Sequence, residues 1–134
     1  MSYLLVALGS AIGGVARFAI GGWLQHSLDG VVPKSNAYPL PVGTLIVNVT
    51  GSFILGMLLV AIAKQPSYSD EMRWLLAIGF CGGYTTFATF SADTVALLES
   101  GATGIAAMNV VASLLLSFLA TYAGFMLARS FVAR

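Results

Sequence analysis

The most unusual run of residues in this sequence is Gly82-Gly83-Tyr84-Thr85-Thr86, which lies in the middle of a long stretch without charge. Paired glycines and β-branched threonines are poor helix formers, because of backbone entropy and restricted rotamers. In lipid, the backbone groups freed by a break are tolerated only where protein or a bound ion satisfies them. Freed carbonyls suit cations and half-helix amide ends suit anions. The run therefore predicts an ion site at a helix break, with close helix packing against the glycines as the alternative.

A second polar feature is a stripe of side chains spaced by four residues, formed by Asn109, Ser113, Ser117 and Thr121. On a helix this spacing places them on one face, and at ~6 Å for every four residues the stripe is about 18 Å long. One interpretation is that these groups hydrogen-bond to neighbouring helices and aid packing. The other is a track of donors along which an ion moves, and the length of the ladder favours the track.

Three further side chains have types that suit an anion. Phe87 and Phe90 follow the glycine–threonine run at a spacing of three, so their rings share a helical face. Such pairs usually fill a core or face lipid, but the positive edge of an aromatic ring also stabilises a partly dehydrated anion. Arg17 is the only charged residue between Met1 and Leu28. Its guanidinium either reaches the membrane interface or attracts anions to a vestibule, and the two roles are compatible.

The composition indicates that membrane-spanning helices position these residues. Of 134 residues, 58% are hydrophobic and 8% are charged, whereas a soluble domain carries about 25% charged residues. Mean hydropathy is +0.92. A helix needs about 20 apolar residues to cross a bilayer, and the sequence predicts four such helices, at 3–26, 41–63, 73–98 and 104–129. We therefore expect an all-α membrane protein with a single four-span domain, 1–134, whose third helix is broken near its middle.

Composition also excludes several classes of function. A net charge of +1 provides no electrostatic footprint for nucleic acid. Cys81 is the only cysteine, so an intrachain disulfide or a cysteine-based metal cluster is impossible. His26 is the only histidine, and no set of nucleophile, base and acid can be assembled. The chain is therefore not expected to be an enzyme.

Two segments resemble the signature of the fluoride channel family called Fluc or CrcB. They are GTLIVNVTG, from Gly43 to Gly51, and GFCGGYTTFATFS, from Gly79 to Ser91. Together with Arg17 after a Gly-Gly pair and four predicted spans, the resemblance extends over the whole chain. One position departs from it, because the family usually has serine where this chain has Ala88, which removes one hydroxyl near the rings.

This resemblance implies an antiparallel, dual-topology homodimer in the cell membrane, with two pores that pass fluoride and so lower its cytoplasmic concentration. The implied partners are fluoride, the lipid bilayer and a second copy of the chain, with Arg17 shaping the vestibule. The backbone carbonyls of Gly82 and Thr85 from both copies would hold a structural sodium ion, Na+, at the dimer centre. The implied fluoride pathway consists of Asn48, Phe87, Phe90, Ser113, Ser117 and Thr121.

Two other functions remain open. A small proton-coupled multidrug exporter is also a four-span, dual-topology dimer, but it needs a titratable carboxylate within the membrane. Here Asp93 and Glu99 fall toward the end of the third predicted span and the other acids fall in loops. The second alternative is a non-transporting membrane protein whose polar stripes serve only packing.

The distribution of basic residues leaves the orientation open. Lys34 lies on the side opposite the termini. The bias mildly favours cytoplasmic termini under the positive-inside rule, but dual insertion would need a more even distribution. The cations on the side of the termini are Lys64, Arg73, Arg129 and Arg134.

Overall fold

The computed structural model describes residues 1–34, 38–64 and 70–132, and these residues are almost entirely helical. Helix α1 is Ser2–Leu28 and α2 is Val42–Lys64. The last helix, α6, is Thr103–Val132. No β-strand occurs in the described ranges, where Lys34 and Pro39 make only an isolated antiparallel bridge.

The third span, Asp70–Glu99, is divided into four parts. It starts with a single turn, α3 (Asp70–Met72), followed by a π-helical segment (Arg73–Phe80). The short helix α4 (Cys81–Tyr84) precedes the break, and α5 (Phe87–Glu99) follows it.

Within the described ranges, four helices are long and apolar enough to cross a membrane. They are Ser2–Leu28, Val42–Ala63, Asp70–Glu99 and Thr103–Phe131. These bounds agree with the predicted spans to within a few residues, so the all-α, four-span prediction is confirmed. Of the cations used to consider orientation, Arg134 lies outside the described residues.

The predicted break in the third span is confirmed, and it falls at the two threonines. Thr85 has φ −86° and ψ 157°, and Thr86 has φ −153° and ψ 113°, both extended. Gly82 and Gly83 remain helical within α4. Threonine stabilises both helix ends here, because the Thr85 hydroxyl donates to the Cys81 carbonyl at 2.9 Å and the Thr86 hydroxyl accepts the Thr89 N–H at 3.1 Å.

Glycines bring α1 very close to the segment that precedes the break. A Cβ added at Gly9 would collide with the Leu75 carbonyl oxygen, and one at Gly13 would collide with the Phe80 carbonyl oxygen. The Ser10 hydroxyl between them donates to the Gly79 carbonyl at 3.3 Å. Gly9 and Gly13, spaced by four residues, therefore form a helix-packing motif.

A second pair of glycines joins α2 to α6. A Cβ at Gly56 would collide with the Thr121 carbonyl oxygen, and one at Gly124 would collide with the Phe53 carbonyl oxygen. This reciprocal backbone contact fixes α6 against α2 close to Thr121. It therefore sets where the polar stripe of α6 lies relative to Asn48.

Candidate ion pathway

One cavity of about 330 Å³ lies beside the break and brings together the predicted fluoride-pathway residues. Residues from α2, the break, α5 and α6 contribute to its wall. The predicted residues that line it are Asn48, Phe87, Phe90, Ser113, Ser117 and Thr121. Residues separated by more than seventy positions in sequence thus share one surface, although they belong to separate motifs.

The Asn48 side chain pairs with the backbone of the break. Its Nδ2 donates to the Thr86 carbonyl at 3.1 Å, and its Oδ1 accepts the Thr86 N–H at 2.7 Å. The Asn48 side-chain amide thus makes the two hydrogen bonds that a backbone peptide of a neighbouring strand would make with this extended residue. An asparagine amide carries two hydrogens, so one N–H remains for a ligand in the cavity. Asn48 holds the break open and still presents a donor.

Two backbone carbonyls are released from the helical hydrogen-bond ladder by this arrangement. In an unbroken helix the Thr86 N–H would donate to the Gly82 carbonyl, but here it donates to Asn48. The Thr89 N–H would likewise reach the Thr85 carbonyl, but it donates to the Thr86 hydroxyl. The Thr85 carbonyl oxygen instead accepts a long hydrogen bond of 3.5 Å from Arg17 Nη1. The carbonyls of Gly82 and Thr85, which the resemblance implies as cation ligands, are therefore available.

The two phenylalanine rings differ sharply in exposure. Phe90 is 8% exposed, whereas Phe87 is 74% exposed. Their centroids lie 5.4 Å apart with an interplanar angle of 49°, a tilted pair. In such a pair ring edges as well as faces are presented to neighbouring groups. Phe90 is held by its own chain, while Phe87 projects from it.

The polar stripe of α6 divides into two parts. Asn109 is 1% exposed, and its Nδ2 donates to the Thr94 hydroxyl at 2.8 Å. The next three residues of the stripe line the cavity instead. Of these, Ser113 donates to Asn109 Oδ1 at 3.5 Å and Thr121 donates to the Ser117 carbonyl at 2.9 Å. Asn109 therefore serves helix packing, whereas Ser113, Ser117 and Thr121 line the cavity.

Arg17 lies beside a second cavity of about 510 Å³, on the other side of the break. Thr86 borders both cavities. In the second cavity Thr44 donates its hydroxyl hydrogen to Asp93 Oδ2 at 3.0 Å. Arg17 contributes to no part of the first cavity wall. Its predicted place in a vestibule is compatible with this separation and stays a prediction.

Two residues that serve the site, Gln25 and Ser52, are not among the predicted site residues. Gln25 accepts the Gly43 N–H at 3.1 Å and donates to the Leu40 carbonyl at 3.2 Å, so it holds the start of the helix that carries Asn48. No local pattern indicates such a contact. Ser52 lines the first cavity. Its spacing of four from Asn48 was a usable signal, because the two side chains share a helical face.

The four spans and the polar cavity at the break define the class: the chain is a small multi-pass membrane protein, as its composition predicts. It belongs to the CrcB family. The family described as "CrcB-like protein, Camphor Resistance (CrcB)" matches residues 4–125.

Several relatives are similar over nearly their full length. A protein of Rhizobium meliloti is 46% identical over 129 residues, covering 96% of this chain and 97% of the relative. One of Agrobacterium fabrum is 44% identical over 126 residues, 94% of each chain. One of Thermus thermophilus is 40% identical over 130 residues, 97% of this chain and 95% of the relative.

All three relatives are named "Fluoride-specific ion channel FluC". These names describe ion channels and not enzymes, in agreement with the sequence prediction. They give no support to the alternative of a proton-coupled multidrug exporter.

Proposed function

We propose that this protein is a fluoride-selective channel through which fluoride leaves the cytoplasm passively. Neutral HF crosses membranes and ionises inside the cell, so a passive anion pore lowers the trapped fluoride. The observation that carries the proposal is the single cavity lined by an amide, hydroxyls and two aromatic rings beside a broken helix. The names of the relatives support the same ion.

The chemistry of the cavity suits a small, strongly hydrated anion. Such an ion enters a pore only if closely set donors replace its water shell. Asn48 offers its second N–H, and hydroxyls of α6 line the same cavity. The ring edges of Phe87 and Phe90 add positive potential without binding the ion tightly. No lysine or arginine of the described residues lines the cavity, so the anion is held weakly enough to leave.

A second, antiparallel copy of the chain completes the pore. Four helices alone are too few to enclose an ion pathway. Phe87, which lines the cavity, is 74% exposed. A two-fold axis in the membrane plane lets one sequence supply both walls of a pathway, as inverted repeats do in larger transporters. Each dimer then has two pores, and Phe87 of one copy is covered by the other.

The carbonyls of Gly82 and Thr85 are the ligands proposed for a structural sodium ion between the two copies. Neutral carbonyl oxygens suit a hard monovalent cation, and both carbonyls have lost their helical N–H partners to Asn48 and Thr86. Bound there, sodium balances the partial negative charge of carbonyls that meet across the dimer. The Arg17 guanidinium shares the Thr85 oxygen only through a 3.5 Å contact, and the second lone pair remains for a cation.

An efflux assay tests the proposed function. Liposomes containing the purified protein and loaded with potassium fluoride should release fluoride rapidly once valinomycin permits charge balance. Chloride-loaded liposomes should release chloride far more slowly, because the larger ion does not fit donors set for fluoride. Protein-free liposomes provide the background. Equal rates for both halides would contradict selectivity, and no efflux of either would favour a non-transporting membrane protein.

Sodium removal tests the assembly. In detergent, the purified protein should cross-link as a dimer, and its apparent melting temperature should fall when sodium chloride is replaced by N-methylglucamine chloride. The same replacement by potassium chloride separates a specific ion from ionic strength. A monomer in every salt would refute the dimer. A dimer with one melting temperature in all three salts would refute the sodium site alone.

A further inference from the structure

Ser52 is a polar residue of the cavity that the sequence analysis did not assign. It lies in α2 one helical turn after Asn48, and the two side chains line the same wall. Its hydroxyl has no hydrogen-bond partner anywhere in the described part of the chain. Every buried side-chain nitrogen or oxygen in the described residues has a hydrogen-bond partner. Since the Ser52 hydroxyl has none, its oxygen is not buried and faces accessible space in the cavity.

A free serine hydroxyl in an apolar helix requires an explanation. Serine and threonine in helices usually return a hydrogen bond to the carbonyl of the preceding turn. Thr50, two residues earlier, does so at 2.8 Å to the Ile46 carbonyl and also contacts the Tyr84 hydroxyl at 3.1 Å. Ser52 makes neither type of bond. Its hydrogen is therefore available to a ligand in the cavity.

The cavity hydroxyls on α6 differ from Ser52 in their hydrogen bonds. Ser113 donates its hydrogen to Asn109, and Thr121 donates to a carbonyl of its own helix. In this arrangement both hydroxyl hydrogens are directed to partners within the chain and not to the cavity. Among the cavity hydroxyls on α2 and α6, only Ser52 and Ser117 have uncommitted hydrogens in the described structure. The free donors thus include one on each of the two helices.

We propose that Ser52 is a fluoride-binding residue, forming with the second N–H of Asn48 the α2 side of the pathway. This inference rests on the proposed function and adds a ligand to it. The anion then passes between Asn48 and Ser52 along one face of α2, and Ser117 provides the donor from α6. A helical turn separates the two α2 donors by ~6 Å, a step short enough for a partly dehydrated ion.

The test compares Ser52→Ala with Ser52→Cys and Ser130→Ala in the fluoride efflux assay. Alanine deletes the hydroxyl, and cysteine keeps the volume but is a weak donor. Ser130 lies outside the cavity near the end of α6, and its hydroxyl donates to the Leu127 carbonyl at 2.7 Å. We expect both Ser52 variants to slow fluoride efflux by about tenfold, as for loss of one hydrogen bond to a charged group, and Ser130→Ala to match wild type.

The melting temperature and the elution volume distinguish binding from packing. Since the Ser52 hydroxyl has no partner among the described residues, Ser52→Ala should leave both unchanged. A wild-type efflux rate in Ser52→Ala, beside a conducting wild type, overturns this inference alone. A lowered melting temperature in both Ser52 variants also overturns it, because the residue would then be structural. Absence of efflux in the wild type overturns the proposed function and this inference together.

Discussion

Replacing Asn48 by alanine is expected to slow fluoride efflux strongly and also to destabilise the folded protein. The side chain makes two hydrogen bonds to the Thr86 peptide, at 2.7 and 3.1 Å. Removing it leaves a backbone N–H and a carbonyl unpaired beside an apolar core, at about 1–3 kcal/mol each. It also deletes the donor that faces the cavity. We expect efflux to fall by about a hundredfold, as for loss of a charge-assisted hydrogen bond and of the geometry around it.

Thr50→Val is the matched control for this change. Thr50 lies on the same helix, and its hydroxyl contacts Tyr84 just before the break, but it does not line the cavity. The variant should lower the melting temperature while retaining fluoride selectivity. Efflux is compared at a temperature where both variants are folded. Wild-type conduction by Asn48→Ala, or equal loss in both variants, would argue against a direct role for the Asn48 amide.

Gly13→Ala is expected to have the second large effect, on stability. The added Cβ would collide with the Phe80 carbonyl oxygen and lie 2.8 Å from the Tyr84 backbone nitrogen. Both obstacles are backbone atoms of the segment leading into the break, so no side chain can move to relieve the contact. Overpacking usually costs about 1–3 kcal/mol and occasionally more. Because α1 must shift bodily here, we expect the upper end of that range, measured as a lower melting temperature and a smaller folded fraction.

The neighbouring Gly14 provides the control. A Cβ at that position meets no atom within 4 Å. Gly14→Ala should therefore leave the melting temperature unchanged or raise it slightly, since alanine is favoured over glycine in helices by roughly 0.5–1 kcal/mol. Similar destabilisation by the two substitutions would show that the α1 contact with the third span is not as close as described.

Much of the fold was predictable from sequence because it follows from local composition. Uncharged stretches of sufficient length specify membrane-spanning helices whatever their neighbours are, and the four spans were found within a few residues of their ends. The break was also predictable, since the Gly82–Thr86 run opposes helix formation by itself. Gly9 and Gly13 also lie on one helical face by their spacing of four, a pattern typical of close helix contact.

The exact place of the break depended on tertiary structure. Helix propensity alone indicated a break at the glycines as much as at the threonines. The backbone is nevertheless extended only at Thr85 and Thr86. The deciding contact is the Asn48 amide, which lies 38 residues away and can replace one peptide's hydrogen bonds. No local pattern specifies where a distant amide will dock.

Hydrogen-bond partners also distinguish residues whose positions in the sequence pattern are equivalent. Asn109 and Ser117 share one helical stripe, but Thr94 on another helix binds the first and leaves the second to the cavity. Ser52 makes no hydrogen bond within the described part of the chain and lines the cavity. Sequence by itself determined which segments span the membrane and where a helix is weak, because those properties are local. Tertiary structure decided which polar groups satisfy one another and which remain for an ion, because that depends on helices brought together from distant parts of the chain.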